Sequence, residues 1–347
     1  MRALVVESPG KIALREVALP ELKDDEILCR VTYSGICGTD LAIYTGETNF
    51  VRDGQIKYPV RIGHEWSGRV ERVGAAVTKF KPGDRVVSDN GVCCRECKMC
   101  KSGNIQLCEN MKSVGTINCW DGSFADYIVM PECHLYHLPD TISDKNAATI
   151  EPLTIAYAAL TKYSITPETA IAVIGTGAIG LATIALAKFM GAGRIISVGR
   201  RDTKLDIAQK IGATDAVNNT KTDAGRAVME LTGSHGADLV VETSGAAPAV
   251  QQAIEMAAEG GHLAMVGFYE EPLQNLDFGS FVFKRLTAKG IMGELGLVPK
   301  IIDYMVKTNL SLEGMVTRII SLDEAPGYFA GHREMRKSDI KVLVKIN

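Results

Sequence analysis

Four cysteines in the first third of the chain have the residue type and the spacing of a metal site. Cys94, Cys97, Cys100 and Cys108 form a C-x2-C-x2-C-x7-C run. Four thiolates can surround one tetrahedral zinc ion, and this closed ligand set leaves no coordination position for a substrate. Such close steps favour a metal over a disulfide pair or a cluster of buried thiols. We therefore predict a structural zinc lobe over residues 93–109, which holds a loop in shape.

Two other candidate ligands precede this lobe. Cys37 stands in the segment GICGTD, and His64 is followed directly by Glu65. A thiolate and an imidazole both bind zinc. Taken singly, a cysteine or a histidine in a β-rich region is more often a packed residue than a ligand. Together with the cysteine lobe and a glycine-rich turn later in the chain, they indicate a second, open metal site.

The glycine-rich turn has the spacing G-x-G-x-x-G and lies between an apolar strand-like run and an apolar helix-like run. In that context the first glycine permits a tight turn, the second lets the backbone approach a pyrophosphate, and the third lets the helix pack on the strand. The helix N-terminus offers free N–H groups to the anion. A bare glycine turn is the alternative. The predicted dinucleotide contacts are Gly175, Gly177, Ala178, Ile179, Gly180 and, at the end of a later strand, Val266.

The residue that ends the next predicted strand indicates which dinucleotide binds. An NAD-binding protein normally has an acidic residue there for the ribose 2′-hydroxyl. This chain has Gly199 instead, followed by Arg200 and Arg201. Without a carboxylate a 2′-phosphate is not repelled, and guanidinium groups can bind it, so we expect NADP(H) in preference to NAD(H). The alternative is that both arginines are solvated at a helix start that Asp202 caps.

Composition and charge exclude several other classes of protein. The 347 residues, 46% of them hydrophobic, are enough for two domains with real cores. The 38 basic residues are scattered among 41 acidic ones, so the chain lacks the basic stripe of a nucleic-acid-binding protein. The apolar stretch 171–190 approaches the length of a membrane span, but its glycines and Lys188 fit a buried strand and helix better. The cysteine pattern and the absence of a signal-peptide pattern predict a cytoplasmic protein.

The pattern of the chain changes near residue 155. Before it, short β-branched runs alternate with Gly, Pro and Asp, which is typical of an irregular β domain. After residue 171, strand-like and helix-like runs alternate, which predicts a doubly wound parallel sheet. After Gly293 we expect one helix, at 298–308, and a final strand, at 341–345, in the first domain. The predicted α/β fold therefore has domains at 1–153 and 154–293, with 294–347 returning to the first. Other predicted strands lie at 27–32, 68–73, 85–88, 124–129, 171–174, 194–198, 239–242 and 262–266, and other helices at 178–190, 203–211 and 249–257.

The order of these motifs resembles the zinc-containing medium-chain dehydrogenase/reductase superfamily over nearly the whole chain. The Cys37 segment, the Gly63-His64-Glu65 segment, the cysteine lobe and the G-x-G-x-x-G turn follow one another as they do in that family. The resemblance implies a GroES-like catalytic domain and a Rossmann domain, with two zinc ions per chain, one catalytic and one structural. It also implies a homodimer or a homotetramer.

By that resemblance Cys37 and His64 bind the catalytic zinc, and two glutamates compete to complete its ligand set. Glu65 follows the histidine, whereas Glu151 stands where polyol dehydrogenases have a glutamate and alcohol dehydrogenases a cysteine. A zinc ion bound by one thiolate and one carboxylate has no net charge. A second carboxylate would make the site anionic and weaken the attraction of the zinc for an alcohol oxygen. One glutamate is therefore expected to stay outside the metal or to exchange with water. Asp40 is expected to orient His64.

The implied activity is hydride transfer between an alcohol and a nicotinamide cofactor. Zinc lowers the pKa of the alcohol so that its proton can leave near neutral pH. Thr39 occupies the proton-relay position of the family, with an ordinary loop residue as the alternative. Many members have a histidine three residues later, but this chain has Ala42. Water, the ribose or one of the glutamates must then complete the proton transfer.

The expected substrate is a polyol, a cyclitol or an amino-polyol, because a glutamate-type zinc site, a polar relay and few aromatic residues suit a polyhydroxylated molecule. An L-threonine 3-dehydrogenase is one alternative, although its members usually use NAD and have the relay histidine. A simple secondary-alcohol dehydrogenase is another, although those that use NADP usually lack the cysteine lobe. A binding protein that retains the nucleotide without the chemistry is the third.

Overall fold

The computed structural model describes residues 1–274 and 276–347, and the chain forms two compact units. The first unit consists of Met1–Glu151 and Glu294–Asn347, and the second of Pro152–Gly293. In the described part of the chain, no helix combines the length and the apolar character that crossing a membrane requires.

Strands and helices are numbered separately in chain order. The strands are β1 (Arg2–Ser8), β2 (Lys11–Glu16), β3 (Glu26–Ile36), β4 (Val60–Arg61), β5 (Glu65–Val73), β6 (Arg85–Ser88), β7 (Gly91–Val92), β8 (Lys112–Ser113), β9 (Tyr127–Pro131), β10 (Leu135–His137), β11 (Ala170–Ile174), β12 (Arg194–Gly199), β13 (Asp215–Asn218), β14 (Ala237–Glu242), β15 (Ala257–Met265), β16 (Thr287–Gly290), β17 (Val316–Ser321) and β18 (Lys341–Lys345). The helices are α1 (Gly38–Thr45), α2 (Asn49–Arg52), α3 (Lys98–Lys101), α4 (Asp144–Ala147), α5 (Ile150–Leu160), α6 (Ala178–Phe189), α7 (Asp202–Ile211), α8 (Ala224–Leu231), α9 (Ala247–Met256), α10 (Phe278–Phe283), α11 (Val298–Thr308) and α12 (Ala325–Met335).

The first unit is rich in strands, as its β-branched runs predict, and its strands pair antiparallel except β17 and β18, which are parallel. Its main sheet has the order β10-β6-β5-β3-β18-β17, and β9 also pairs with β3. A smaller sheet has the order β2-β1-β4. The long strands β3 and β5 pair so that Gly35 lies opposite Glu65, with register shifts farther along. Large apolar side chains such as Phe124, Phe329 and Leu4 fill its core.

The returning segment contains one helix more than the sequence predicts. Helix α11 has the predicted bounds, but α12 follows it. Pro326, Gly327 and Gly331 obscure α12 in the sequence because proline and glycine have the lowest helix propensities. Phe329 nevertheless anchors the helix, since its side chain is fully buried in the core.

The second unit contains the predicted doubly wound parallel sheet. Its strand order is β13-β12-β11-β14-β15-β16, and all adjacent pairs are parallel. The predicted strands and helices all recur with bounds that differ by a few residues. Strands β13 and β16 and helices α8 and α10 are additions, as is α5, most of which lies in this unit. Every residue of β16 is exposed, so this edge strand lacks the apolar pattern that identifies its neighbours.

A hydrogen-bond network connects the start of the cysteine lobe to the rest of the first unit. His134 Nδ1 lies 3.1 Å from Asp89 Oδ2, and the Tyr136 hydroxyl donates to the same oxygen at 2.9 Å. Asp89 Oδ1 accepts from the Gly296 N–H at 3.0 Å. The Cys93 N–H donates to His134 Nε2 at 3.1 Å, so the ring proton lies on Nδ1, facing Asp89. One buried aspartate thus fixes both the entry to the lobe and the start of the returning segment.

Replacing this aspartate should destabilise the first unit. Asp89→Ala leaves three donors without their acceptor, and we expect a loss of about 3 kcal/mol, measured as a lower Tm in thermal denaturation. Asp53→Ala is the matched control, since Asp53 is an exposed aspartate of the same unit. If both variants melt at the wild-type temperature, the network does not stabilise the fold.

Candidate metal centres and dinucleotide site

Cys37, His64 and Glu65 meet at one point in the first unit. Each offers one ligand atom, and the three atoms lie within 4.8 Å of one another. Cys37 is the N-cap residue of α1. His64 directly precedes β5, and Glu65 is its first residue. The fold therefore brings together three of the residues that the sequence predicts around the catalytic metal.

Asp40 is fully buried beside this group and holds the backbone on both sides of it. Its Oδ2 accepts from the Cys37 N–H at 2.8 Å, and its Oδ1 accepts from the Gly63 N–H at 3.1 Å. The distance from Oδ1 to His64 Nδ1 is 3.6 Å, longer than a hydrogen bond. Nδ1 is buried and has no hydrogen-bond partner among the described residues. Asp40 thus positions the backbone of the ligands, and its orientation of the imidazole ring stays a prediction.

The surroundings of His64 fit a metal ion. Burial lowers the pKa of His64, but the negative groups of Asp40 and Cys37 outweigh burial and raise it well above its ordinary value. Burial also raises the pKa of Asp40, against the opposing charge of His64. A site that draws a proton to a buried imidazole also draws a cation, which displaces that proton because ligands bind metals in their deprotonated forms. A thiolate, an imidazole and a carboxylate together are a donor set for zinc.

Glu65 has a buried cationic partner, Lys341, that the sequence analysis missed. Lys341 Nζ donates to Glu65 Oε2 at 2.5 Å and to the Ile36 carbonyl at 3.2 Å, and both charged side chains are 2% exposed. Burial lowers the pKa of Lys341, but Glu65 and Cys37 outweigh burial and raise it, so the amine stays charged. A Cβ on Gly35 would collide with Glu65 Oε2. The absent side chain of this glycine therefore provides the space for the carboxylate.

Glu151, in the first turn of α5, is not part of the close group of three. Asn90 donates from Nδ2 to its Oε1 at 2.6 Å. Burial raises the pKa of Glu151 to about 7, while the charge of His64 lowers it and that of Glu65 raises it further. Its carboxyl group therefore interacts electrostatically with the same site and is oriented by an amide that the sequence did not single out.

Thr39 lies in the first turn of α1, next to the candidate metal ligands. Its Oγ1 accepts from the Cys37 thiol with a sulfur–oxygen distance of 3.8 Å. A hydroxyl is thus available beside the site, as a proton relay requires. Ala42, one turn later in the same helix, offers no group that could receive the proton.

The four cysteines of the lobe also converge, with their sulfur atoms within 4.8 Å of one another. The Cys94 N–H donates to Cys108 Sγ at 3.2 Å, and the Cys97 N–H to Cys94 Sγ at 3.4 Å. Hydrogen bonds from the backbone of Glu96 and then of Cys97 lower the pKa of Cys94 to about 6, whereas burial raises the pKa of Cys100. Four converging thiols with this spacing fit one tetrahedral zinc ion.

The glycine-rich turn connects β11 to α6, beside the point where the strand order reverses between β11 and β14. Gly175 has φ of 110°, and a Cβ there would lie 2.5 Å from Thr243 Oγ1. A Cβ on Gly180 would collide with the Gly175 carbonyl. Gly177, the N-cap of α6, has nothing within 4 Å of the position of a Cβ. The turn thus leaves open space in front of Ala178–Ile179, where the first N–H groups of α6 can bind an anion.

The predicted 2′-phosphate site lies at the end of β12. Gly199 is the last residue of the strand, and Arg200 and Arg201 follow it with exposed side chains. A Cβ on Gly199 would lie 2.7 Å from Thr176 Cγ2, so any side chain there would press on the glycine-rich turn.

Asp202 does not cap α7, contrary to the alternative considered from the sequence. The N-cap residue is Arg201, and Asp202 is the first residue of the helix. Its carboxylate accepts from Asn218 Nδ2 at 2.7 Å and from Lys221 Nζ at 2.6 Å. The acidic group nearest the two arginines in sequence therefore has a cation of its own.

Val266 follows β15, and its N–H donates to the carbonyl of Glu242 at 2.8 Å. Its side chain is buried. Glu242, the last residue of β14, is a further functional candidate that the sequence analysis missed, because a single glutamate at the end of an apolar strand has no distinctive signature.

Known proteins resemble this chain over its whole length. Residues 23–140 match the family model of the alcohol dehydrogenase GroES-like domain, and residues 178–307 match that of the zinc-binding dehydrogenases. Sorbitol dehydrogenase of Bacillus subtilis is 32% identical over 349 residues, covering 100% of this chain and 98% of the relative. L-threonine 3-dehydrogenase of Anaeromyxobacter dehalogenans is 35% identical over 327 residues, covering 93% of each chain.

Solved structures also resemble the fold of this chain over nearly its whole length. A zinc-binding dehydrogenase of Sinorhizobium meliloti bound to NADP superposes with a TM-score of 0.89 at 30% identity, covering 99% of this chain and 98% of that one. Alcohol dehydrogenase of Thermus sp. ATN1 has a TM-score of 0.90, also at 30% identity, with full coverage of both chains. The predicted pairing of a GroES-like domain with a Rossmann domain is confirmed. The chain belongs to the zinc-containing medium-chain dehydrogenase/reductase superfamily, in its polyol dehydrogenase branch, and is an enzyme of that class.

Proposed function

We propose that this enzyme is a zinc-dependent, NADP(H)-preferring dehydrogenase of a secondary alcohol in a polyol, a cyclitol or an amino-polyol. The proposal rests on the close group of Cys37, His64 and Glu65. A cysteine, a histidine and a glutamate together suit zinc, and the three lie within the part of the chain that matches the GroES-like domain. The relatives named as sorbitol, D-arabitol-phosphate and D-xylulose enzymes support a polyhydroxylated substrate.

The residues of the site have distinct roles in this chemistry. A zinc ion would polarise the alcohol oxygen, and the nicotinamide of a bound cofactor would exchange a hydride with the alcohol carbon. Cys37 and His64 hold the metal, and Asp40 keeps their backbone in place through the Cys37 and Gly63 N–H groups. Thr39 passes the proton of the alcohol from the site towards solvent or the cofactor ribose.

Lys341 changes the charge balance that the sequence alone predicts. The two charges of a zinc ion and the charge of Lys341 would together balance the negative charges of Cys37, Glu65 and Glu151. Lys341 therefore offsets the charge of one of the two carboxylates and favours ionisation of both. We propose Glu65 as the glutamate that reaches the metal, because it belongs to the close group. Glu151, held by Asn90, stays outside or exchanges with water and can receive the proton, since its pKa is raised to about 7.

The preference for NADP(H) is supported by the end of β12. Gly199 provides no carboxylate, and Arg200 and Arg201 are exposed beside it. Asp202 is paired with Lys221 at 2.6 Å, which reduces its repulsion of a 2′-phosphate. The NADP bound to the Sinorhizobium meliloti relative is in line with this preference.

We further propose a homodimer or a homotetramer in the cytoplasm. Among the described residues, no strand pairs with the outer side of the exposed edge strand β16, and open edges pair with other chains. Val282 and Phe283 precede it with 64% and 75% exposure, which supports a second copy of this chain as the partner. The four converging thiols support a reducing compartment, in which they stay available for a metal.

The proposal is tested by initial rates on polyols, cyclitols, amino-polyols and L-threonine, each with NADP and with NAD. We expect oxidation of a polyhydroxylated substrate, faster with NADP. L-threonine oxidation with NAD would favour the threonine dehydrogenase alternative, and oxidation of 2-propanol alone would favour a simple secondary-alcohol dehydrogenase. Absence of any turnover, despite binding of a dinucleotide, would favour the non-catalytic alternative.

Cys37→Ser should remove one metal ion and leave the other. Zinc content, measured by mass spectrometry of the purified protein, is expected to fall from two ions to one per chain, because the four-cysteine lobe is intact. Activity should be lost. Cys133→Ser is the matched control, since Cys133 is exposed and outside both groups. A Cys37→Ser protein that retains two zinc ions contradicts the assignment of this ligand.

Arg200→Ala should change the choice of cofactor. A lost charge-assisted hydrogen bond to a 2′-phosphate lowers kcat/KM for NADP by about tenfold to a hundredfold and leaves that for NAD nearly unchanged. Arg226→Ala, on the exposed side of α8 in the same unit, controls for the loss of a positive charge. An unchanged ratio of the two kcat/KM values would show that Arg200 does not bind the phosphate.

A further inference from the structure

The end of β14 has a buried carboxylate that the proposed chemistry does not use. Glu242 is the last residue of this strand and is completely inaccessible to solvent. It pairs with Ile174, the last residue of β11, after which the glycine-rich turn begins. The strand order reverses between β11 and β14. Doubly wound sheets bind their ligands in the crevice at such a reversal, so Glu242 lies beneath the expected dinucleotide site.

The carboxylate of Glu242 joins two loops. Its Oε1 accepts from the Ser244 N–H at 2.6 Å and from the Ser244 hydroxyl at 2.5 Å. The Gly245 N–H donates to both oxygens, at 3.2 and 3.3 Å. Oε2 also accepts from the Tyr269 hydroxyl at 2.5 Å. Burial raises the pKa of Tyr269 and the charge of Glu242 raises it further, so this hydroxyl keeps the proton that it donates.

The same two loops are so close to each other that no side chain fits at Gly245 or at Gly267. A Cβ on Gly245 would lie 2.5 Å from the Phe268 carbonyl oxygen. A Cβ on Gly267 would lie 2.5 Å from Glu242 Oε2. The Gly267 N–H also donates to the Glu242 carbonyl at 3.1 Å. The loops after β14 and β15 therefore form one packed surface around the carboxylate.

The residue after Glu242 extends this surface to the glycine-rich turn. Thr243 Oγ1 donates to the Ile174 carbonyl at 2.9 Å. The same oxygen lies 2.5 Å from the position of a Cβ on Gly175 and 3.0 Å from that of a Cβ on Gly180. The glycine-rich turn and the loops after β14 and β15 are thus held together at the carboxyl end of β14.

We propose that Glu242 is a positioning residue for the dinucleotide, an inference that rests on the proposed NADP(H)-dependent function. Its carboxylate holds the loops 243–246 and 266–269 against each other before the cofactor binds. A preformed surface increases affinity because its ordering entropy is not lost on binding. The carboxylate is specifically required, since both of its oxygens accept hydrogen bonds, whereas a glutamine side chain has one acceptor oxygen.

Glu242→Gln tests the proposal because it keeps the volume and removes one acceptor. Without cofactor, amide hydrogen exchange in segment 243–246 should become faster, since the Ser244 and Gly245 N–H groups lose part of their protection. The dissociation constants of NADPH and NADH, measured by fluorescence titration, should rise together by about tenfold. A common factor for both is expected because the loops change and the 2′-phosphate site does not.

The second variant, Tyr269→Phe, removes the hydroxyl group that donates to Glu242 Oε2. It should weaken both dinucleotides in the same direction. A double variant of Glu242→Ala with Tyr269→Phe should bind no more weakly than Glu242→Ala alone, because alanine already lacks the acceptor of the Tyr269 hydroxyl. Glu255→Gln, on the exposed face of α9 and bonded to Gln251 at 2.9 Å, is the matched control.

Wild-type exchange and wild-type affinities in both variants would overturn the inference. Full additivity in the double variant would overturn the coupling of Glu242 to Tyr269. A wild-type protein that binds neither NADPH nor NADH would contradict the proposed function instead, and the exchange experiment would still decide whether Glu242 braces the loops.

Discussion

The buried ion pair between Glu65 and Lys341 is the constraint on which the candidate metal centre depends. A carboxylate buried next to a thiolate and a second carboxylate is costly unless a cation compensates it, and the Lys341 side chain, 2% exposed, supplies that cation. Lys341 reaches Glu65 because β18 pairs with β3, with Val342 opposite Ile36, and β3 pairs in turn with β5. Strand β18 is therefore part of the candidate metal centre as well as of the sheet.

Several glycines lie where a side chain would collide with a neighbouring group. A side chain on Gly35 would occupy the position of the Glu65 carboxylate, and one on Gly63, where φ is +99°, would press against Phe124. The same holds in the second unit, where Gly180 allows α6 to pack on β11. Two of these glycines have unexceptional backbone angles, so close approach, and not conformational freedom, accounts for them. A substitution at Gly35 would thus disturb the charge balance of the site without straining the strand.

The sequence predicts those parts of the fold and site whose signals are local. The cysteine run, the G-x-G-x-x-G turn and the alternation of strands and helices each lie within short segments, and the sheet order and the converging thiols agree with them. Lys341 was not identified, because it is the first residue of an apolar strand 276 residues away from Glu65, and only the pairing of β18 with β3 brings the two together. Asn90 was missed for the same reason, since it lies 61 residues from Glu151, whereas Glu242 was missed because a single glutamate at the end of an apolar strand has no distinctive signature. Helix α12 was missed because its proline and glycines contradict local propensity, which burial of Phe329 overrides.

Three buried carboxylates, at Glu65, Asp89 and Glu242, lie at or beside strand ends, and the difference in their partners follows from their surroundings. A carboxylate that accepts several N–H and O–H groups can stay ionised in the interior without a cation. Asp89 and Glu242 are of this kind and join loops that no strand pairing connects. Glu65 lies among other negative groups, where hydrogen bonds from neutral donors would leave the repulsion in place. Only a full positive charge offsets that repulsion. Lys341 supplies this charge from β18, a strand of the same sheet. Of these three carboxylates, the one at the candidate metal centre is the one with a lysine as its partner.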